Sequence, residues 1–488
     1  MRSSTIATTK LASDKRGNPR IWIEGRKLEA AGFIPSMRYR MTVDSEARRI
    51  ELRVDDKGDR VVSRRERRGQ ALPIIDIANA KALSTIPANS TLRIDFSAQT
   101  VVIELSATDR RRMEREERTS MRLKNGEPLA TGSVSTGIGA LSYAMHQGLA
   151  DAGIPSRLAF SVEIDHEYQD LCAERNPIWG KDTQAICMPM QEFAFDRNAT
   201  GQIEQIDILE AGIPCTAHSL AGRAKKHLEI PEHDPVAGHL VVGFLAIVSA
   251  CNPSIVVVEN VPQYAESASF AILRNQLTKW GYDVDHVILK GEEFACLEHR
   301  HRMALIATTK GMHGNVEITA NGGSDLKLAD ILEDVPDDSP LWSKMTYLKA
   351  KEERDMAEGK GFRMQILTPE ARKVGTIGRG YAKVRSTEPK LQHPTRPELL
   401  RQFTPVEHAR IKGIPEVLVD GLTVTQAHEM LGQSIVTAPF RALGAGLGRE
   451  LVRWNKGGKP RAKVTVAIPV QRPGSTNDND DRQLGLFA

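Results

Sequence analysis

From Leu129 to about Thr309, apolar runs of strand length alternate with amphipathic helical segments. This alternation limits what the chain can become more than any other feature. It predicts strands at 129–134, 157–163, 206–211, 254–260, 284–289 and 303–309. A βαβ rhythm of this kind builds an α/β fold: an open, largely parallel sheet with helices on its faces. Ligands of such sheets bind outside the carboxyl ends of the strands. Polar residues that follow each apolar run are therefore the first candidates for chemistry.

The 488 residues exceed one compact core. Residues 1–19 are polar and are expected to be disordered. Residues 20–106 hold short strand-like runs (RIWIEG, YRMTV, RIELRV, LPIIDI, TLRIDF and VVIEL) separated by turn signals, which predicts a small β-rich domain. Within it, Ala30–Leu52 and Ala82–Leu105 each carry Ile-Pro followed by two β-runs ending in Ile-Glu-Leu, as a duplicated hairpin would. The first copy, with IEGRKLEAAGF, resembles the SymE-type toxins and their AbrB-like swapped-hairpin fold. Residues 107–128 alternate charge at helical spacing and predict a solvated linker helix. After the 129–309 core come a polar, irregular stretch (310–400), a helical return (401–454) and a polar tail (455–488).

Charge divides unevenly. Residues 1–128 carry 27 Lys and Arg against 18 Asp and Glu, a balance of +9, whereas the whole chain stands at +4. A basic N-terminal part suits a polyanion partner. No stretch reaches the ~18 apolar residues of a membrane span. The N-terminus lacks the apolar run of a secretory leader. The five cysteines form no CxxC pair and no zinc-type set. The chain is thus expected in the cytoplasm, with reduced thiols and no metal.

Three strand ends carry candidate chemistry. The first leads into VSTGIGALSYAMHQGL, where Gly137 and Gly139 allow a ligand close to the backbone. The second ends in Glu163, an acid suited to ribose hydroxyls. Together they point to a nucleoside cofactor. The strand ending at 211 leads into AGIPCTAHS, which makes Cys215 the cysteine best placed as a nucleophile. SIVVVENVPQY puts Glu259 and Asn260 behind another apolar run, where a carboxylate can bind or protonate a heterocycle.

In this order the motifs resemble the DNA cytosine carbon-5 methyltransferase family over about 129–450. STGIGALS is similar to its methionine-side cofactor motif and VEID to its ribose acid. DILEAGIPCTAHS resembles the nucleophile loop, and VVVENVP the Glu-Asn-Val motif. LEHRHRMALIAT resembles the Gln-x-Arg-x-Arg strand. RQFTPVEHARIKGIP resembles the segment after the target-recognition region, and LGQSIV the final motif. Departures are Ser135 and Thr136 before the first glycine, Thr216 for Gln, His218 for Phe, Glu298 for Gln, and Gln433 for Asn.

The resemblance implies a Rossmann-like sheet that uses S-adenosylmethionine. The cofactor residues would be Thr136, Gly137, Ile138, Gly139, Glu163, Asp182, Pro214, Gln433 and Ser434. Cys215 would attack carbon 6 of a flipped cytosine, Glu259 would engage ring N3, and Arg302 with Arg300 would hold the base carbonyl. The 310–400 insert would read double-stranded DNA, with Lys373, Arg379, Lys383 and Arg385 as contacts. The implied protein is a monomeric bacterial or phage methylase, within a restriction-modification system or standing alone. The alternatives are a tRNA cytosine-5 methyltransferase and a catalytically weak DNA-binding relative. At the C-terminus, Gln483, Leu484, Leu486 and Phe487 resemble the peptide by which bacterial enzymes dock on the replication sliding clamp.

Overall fold

The computed structural model describes residues 4–67, 69–214, 218, 223, 226–312, 316–320, 322, 325–359, 363–458 and 464–467. Cys215, Thr216 and the peptide at 483–487 lie outside the described residues. The chain divides into two compact units, Met1–Glu114 and Arg115–Ala488.

The first unit repeats one element order. It runs β1 (Thr5–Lys10), β2 (Ala12–Ser13), β3 (Pro19–Glu24), α1 (Arg26–Ala30), β4 (Arg38–Asp44) and β5 (Arg49–Val54). The same order recurs as β6 (Arg60–Val61), β7 (Ser63–Arg67), β8 (Gln70–Ile77), α2 (Ala80–Leu83), β9 (Thr91–Ser97) and β10 (Thr100–Leu105). Equivalent strands pair with each other, β3 with β8 and β5 with β10, all antiparallel. The leading strands cross over: β1 pairs with β9 of the second copy and β6 with β4 of the first. Ile50 and Leu52 of one copy, and Ile103 and Leu105 of the other, fill one apolar core. Residues 5–10 are thus a correction to the expected disordered N-terminus. Their alternation of half-buried and exposed side chains fits an edge strand.

The helix α3 (Ala107–Asn125) corrects a second expectation. From Arg115 onward it is not a solvated linker. Arg115 donates to the carbonyls of Trp280 (3.0 Å) and Gly281 (2.8 Å) and lies over the Tyr282 ring. The Thr119 hydroxyl donates to Asp207 at 2.7 Å, and Arg122 pairs with the same carboxylate at 2.5 Å. The buried charges are acceptable because each has a hydrogen-bonded partner.

The second unit centres on a seven-stranded sheet. Its strands are β11 (Leu129–Val134), β12 (Ser156–Glu163), β13 (Gln184–Cys187), β14 (Ile208–Gly212), β15 (Ile255–Asn260), β16 (Tyr282–Lys290) and β17 (His301–Thr309). The spatial order is β13-β12-β11-β14-β15-β17-β16. The first five are parallel; β17 runs antiparallel to both its neighbours, β15 and β16, so it alone is reversed. Alternate side chains enter opposite cores. Ile255 and Val257 face α4 (Ala140–Asp151), whereas Val256 and Val258 face α6 (Met190–Phe195) and α7 (Leu240–Cys251). Only β13 escaped the sequence reading, because its four residues (QAIC) make no apolar run.

The chain then leaves the sheet and returns to it. The 310–400 segment is less irregular than its composition suggests. It holds the helix Thr346–Ala357 and short strands at Ile366–Leu367 and Lys390–Gln392. Its apolar cluster includes Val374, Ile377 and Tyr381, together with Phe403 and Ile411 from the following segment. RQFTPVEHARIKG starts its helix, α10 (Pro405–Lys412), with a capping box: Thr404 and Glu407 each take the other's backbone N–H, and Pro405 sits in the first turn. Gly413, at φ +68°, ends it. After α11 (Val424–Gln433), the helix α12 (Thr437–Asn455) lies on α4. The two helices meet backbone to backbone. A Cβ at Gly444 would sit 2.6 Å from the Met145 carbonyl oxygen. Leu443, Leu447 and Leu451 of α12 are fully buried, contributing on the order of 2 kcal/mol each.

Candidate active site

Three strand ends meet at the carboxyl edge. β11 stops at Val134, and the chain turns through Ser135, Gly137 and Gly139, all with positive φ (54°, 56° and 74°). The two glycines serve different ends. A Cβ at Gly137 meets no atom within 4 Å, so the space before this turn is open. A Cβ at Gly139 would strike the Asn176 amide at 2.5 Å and the Cys172 sulfur at 2.8 Å, so this glycine is a packing requirement. Asn176, which the sequence reading missed, donates to the carbonyls of Ile138 (2.9 Å) and Gly139 (3.1 Å) and fixes the turn.

Glu163 ends β12 and reaches back under the loop. Its carboxylate accepts N–H groups of Gly137 (2.7 Å), Ile164 (2.9 Å) and Asp165 (3.1 Å). A carboxylate has about four acceptor positions, so about one remains for a ligand hydroxyl. Thr136 and Ile138 offer backbone only. The Thr136 hydroxyl is buried against Ser161 at 2.8 Å, and the Ile138 side chain lies in the core.

Asp182 is not brought to this edge. It lies two residues before β13, and the parallel register pairs the far end of that strand, Cys187, with Glu163. The strand separates Asp182 from the loop by roughly 15 Å. Its charge acts instead on Arg157 at the start of β12. The expected cofactor position of Asp182 is therefore corrected.

The second group sits one strand over. Gly212 at the end of β14 is in register with Glu259 on β15. A Cβ at Gly212 would touch both the Ser135 carbonyl (3.6 Å) and the Glu259 carboxylate (3.7 Å). Glycine here lets the 135–139 turn and Glu259 converge on one point. Pro214 follows, exposed, and Cys215 comes next in the chain. Asn260 ties this loop down: its amide donates to the Ile213 carbonyl at 3.1 Å. Glu259 pairs with Arg302 of β17 at 2.8 Å, both 14% exposed.

Arg300 and Arg302 part company. Arg302 faces Glu259. Arg300 is buried, donating to the Gly432 carbonyl at 3.2 Å, with Glu298 3.5 Å away. The 431–436 segment returns to α5 (His166–Arg175) through Gln433, whose amide donates to the Tyr168 hydroxyl at 2.8 Å. Burial pushes that phenol up to about 12. Ser434 is used internally, donating to Met430 O at 2.8 Å. In the insert, Arg379 pairs with Glu429 and Arg385 lies over Gly380, while Lys383 is exposed and Lys373 half-buried.

Two other cysteines are poor nucleophiles. Burial pushes the Cys172 and Cys296 thiols up to about 12. Burial also pushes the Glu210 carboxyl, within β14, up to about 8.

A glycine turn over an acid-ended second strand, in a seven-stranded sheet with one reversed strand, defines a nucleoside-cofactor methyltransferase core. The family model for C-5 cytosine-specific DNA methylases matches residues 130–449, and the chain belongs to that family. Among its relatives, the type II methyltransferase M.NlaX of Neisseria lactamica is 27% identical over 317 residues, covering 63% of this chain and 92% of the relative. A DNA-cytosine methyltransferase of Escherichia coli K12 is 26% identical over 342 residues, covering 60% and 69%. In fold, the Entamoeba histolytica methyltransferase EhMeth aligns with a TM-score of 0.51 at 17% identity, over 68% of this chain and 98% of the other. The family depends on S-adenosylmethionine and acts on DNA.

Proposed function

We propose that the chain methylates carbon 5 of a cytosine flipped out of duplex DNA, through a covalent adduct of Cys215. The observation that carries this reading is the register of Gly212 with Glu259, beside the Ser135 carbonyl. It brings the approach to Cys215, an acid and the cofactor turn to one strand edge.

The open face of Gly137 and the held carboxylate of Glu163 fit the cofactor, with Pro214 and Gln433 at its rim. S-adenosylmethionine supplies the methyl group when bound. The remaining work falls to the chain. The Cys215 thiolate adds to carbon 6, and Glu259, having taken up a proton from solvent, gives it to N3 as negative charge develops. This turns carbon 5 into an enamine-like nucleophile. Arg302 orients Glu259 and holds the base carbonyl. Arg300, turned to Gly432, steadies the strand. After methyl transfer, a base takes the carbon 5 proton, Cys215 leaves as the thiolate, and N3 returns its proton to Glu259. Lys383 and Arg385 of the insert supply phosphate or base contacts.

Labelled S-adenosylmethionine, offered mixed-sequence duplex DNA and tRNA, tests the reading. Label is expected in DNA. Label in tRNA alone favours an RNA substrate, and label in neither favours a binding protein.

Two partner proposals accompany it. The first unit contacts DNA through exposed Arg64, Arg65 and Arg67 on β7. Deleting residues 1–114 is expected to flatten the salt dependence of DNA binding by ~0.9 per lost phosphate contact. An unchanged slope sinks this idea. The tail peptide Gln483, Leu484, Leu486 and Phe487 docks on the sliding clamp. A fluorescence titration should give a dissociation constant below about 100 μM, roughly 5 kcal/mol, and silence at that concentration rejects it. The protein would act as a cytoplasmic monomer at the nucleoid. No described helix is long and apolar enough to cross a membrane.

A further inference from the structure

Glu298 stands where the family resemblance leads one to expect Gln, two residues before Arg300. It is fully buried, and so is Lys412 at the end of α10. Their charged ends meet at 2.6 Å. The other Glu298 oxygen accepts the Ile377 N–H of the insert at 3.2 Å. The backbone repeats the connection: His299 N–H donates to Val374 O (2.9 Å), and Val374 N–H donates to Leu297 O (2.8 Å). One step further along, Arg300 holds the Gly432 carbonyl. Gly432 itself packs directly on the Gly378 carbonyl, with no room for a Cβ.

Three segments therefore meet at one carboxylate, the lead-in to the Arg302 strand, the insert at 374–378 and the end of α10, and the end of α11 joins them through Arg300 and Gly378. Arg302 lies four residues after Glu298. Arg379, Lys383 and Arg385 follow within eight residues of Ile377. A bare carboxylate at this depth would be costly, and so would a bare ammonium. Burial already pushes the Lys412 ammonium down to about 7.

We propose that Glu298 and Lys412 form a positioning pair that fixes the DNA-reading insert to the strand carrying Arg302. Recognition and base contact are thereby held in one frame. The proposal rests on the DNA methyltransferase reading above. It also accounts for a charged residue at a neutral family position, because the substitution is matched by Lys412 114 residues downstream.

The test uses the full chain with Glu298→Gln, Lys412→Met and the double variant. Each single variant is expected to raise KM for duplex DNA by about tenfold or more, while KM for S-adenosylmethionine stays within about twofold. Amide exchange at 374–378 should quicken in the singles, with α4 and α12 unchanged. The double variant removes both charges, and its DNA KM is expected within about threefold of the parent. Folded singles with parental DNA KM overturn the proposal, as does an equal rise in both KM values. If the singles do not fold, the double decides: a DNA KM raised tenfold or more overturns it. A parent chain inactive on DNA instead rejects the methyltransferase reading.

Discussion

Replacing Cys215 by alanine is expected to lower methyl transfer by about 10⁴-fold or more, with duplex binding left within about threefold. Removing a covalent nucleophile costs on the order of 10⁴–10⁶ in other enzymes whose groups act as a unit. Among the described residues the other cysteines are poor substitutes, and burial pushes the Cys187 thiol up as well. Cys172 is buried behind Gly139, and its thiol is pushed up to about 12. Cys251 is buried in the core on the other face of the sheet. Cys296 is held as a thiol by burial. The approach to position 215 is set by backbone and by Asn260, neither of which the substitution touches. Initial rates with labelled S-adenosylmethionine measure the loss. Duplex containing 5-fluorocytosine gives a second readout, because fluorine cannot leave as a cation and the adduct persists. The parent chain should form a denaturant-stable complex with it and the variant none. A residual rate above about 1% of the parent would show that another route to carbon 5 operates.

The sheet was legible because its strands are buried on both faces and stand out as apolar runs. The site residues were legible for a related reason. A polar residue directly after such a run must lie at the carboxyl edge, as Glu163 and Glu259 do. What sequence lacks is the lateral arrangement. Asp182 was placed on the wrong edge because QAIC left no apolar trace, and a residue before an unseen strand looks like one after it. Gly139 read as a ligand glycine because its real neighbour, Asn176, is 37 residues away. Arg300 and Arg302 look equivalent in LEHRHRMALIAT. Only the start of β17 at His301 puts Arg302 in the ladder facing Glu259 and leaves Arg300 to the Gly432 carbonyl. Glu298 read as a departure because Lys412 could not be paired with it from sequence. The strand at 5–10 was hidden differently. TIATTK has β-branched residues at strand spacing, but its exposed edge position keeps it polar.

Glu259→Gln is expected to lower kcat by about 10²–10⁴-fold, with KM for S-adenosylmethionine within about twofold. The amide keeps the size of the carboxyl and can still donate a hydrogen bond toward N3. The flipped base should therefore be held, and the loss should fall on kcat. What glutamine cannot do is deliver a proton as Cys215 adds, and general acid assistance is commonly worth 10²–10⁴. A thousandfold loss corresponds to about 4 kcal/mol of transition-state stabilisation. The proposed cofactor contact lies elsewhere, at the Glu163 carboxylate that accepts the Gly137 N–H, which predicts the unchanged cofactor KM. The substitution also deprives Arg302 of its 2.8 Å charged partner. A parallel Arg302→Gln variant separates that effect. If Glu259 acts only by orienting Arg302, the two variants should lose the same amount and the double no more. If it acts as the acid, Glu259→Gln should lose more and should slow adduct formation on 5-fluorocytosine duplex in proportion to kcat. A variant that forms the adduct at the parental rate would assign Glu259 to a later step. A kcat within tenfold of the parent would remove it from the chemistry.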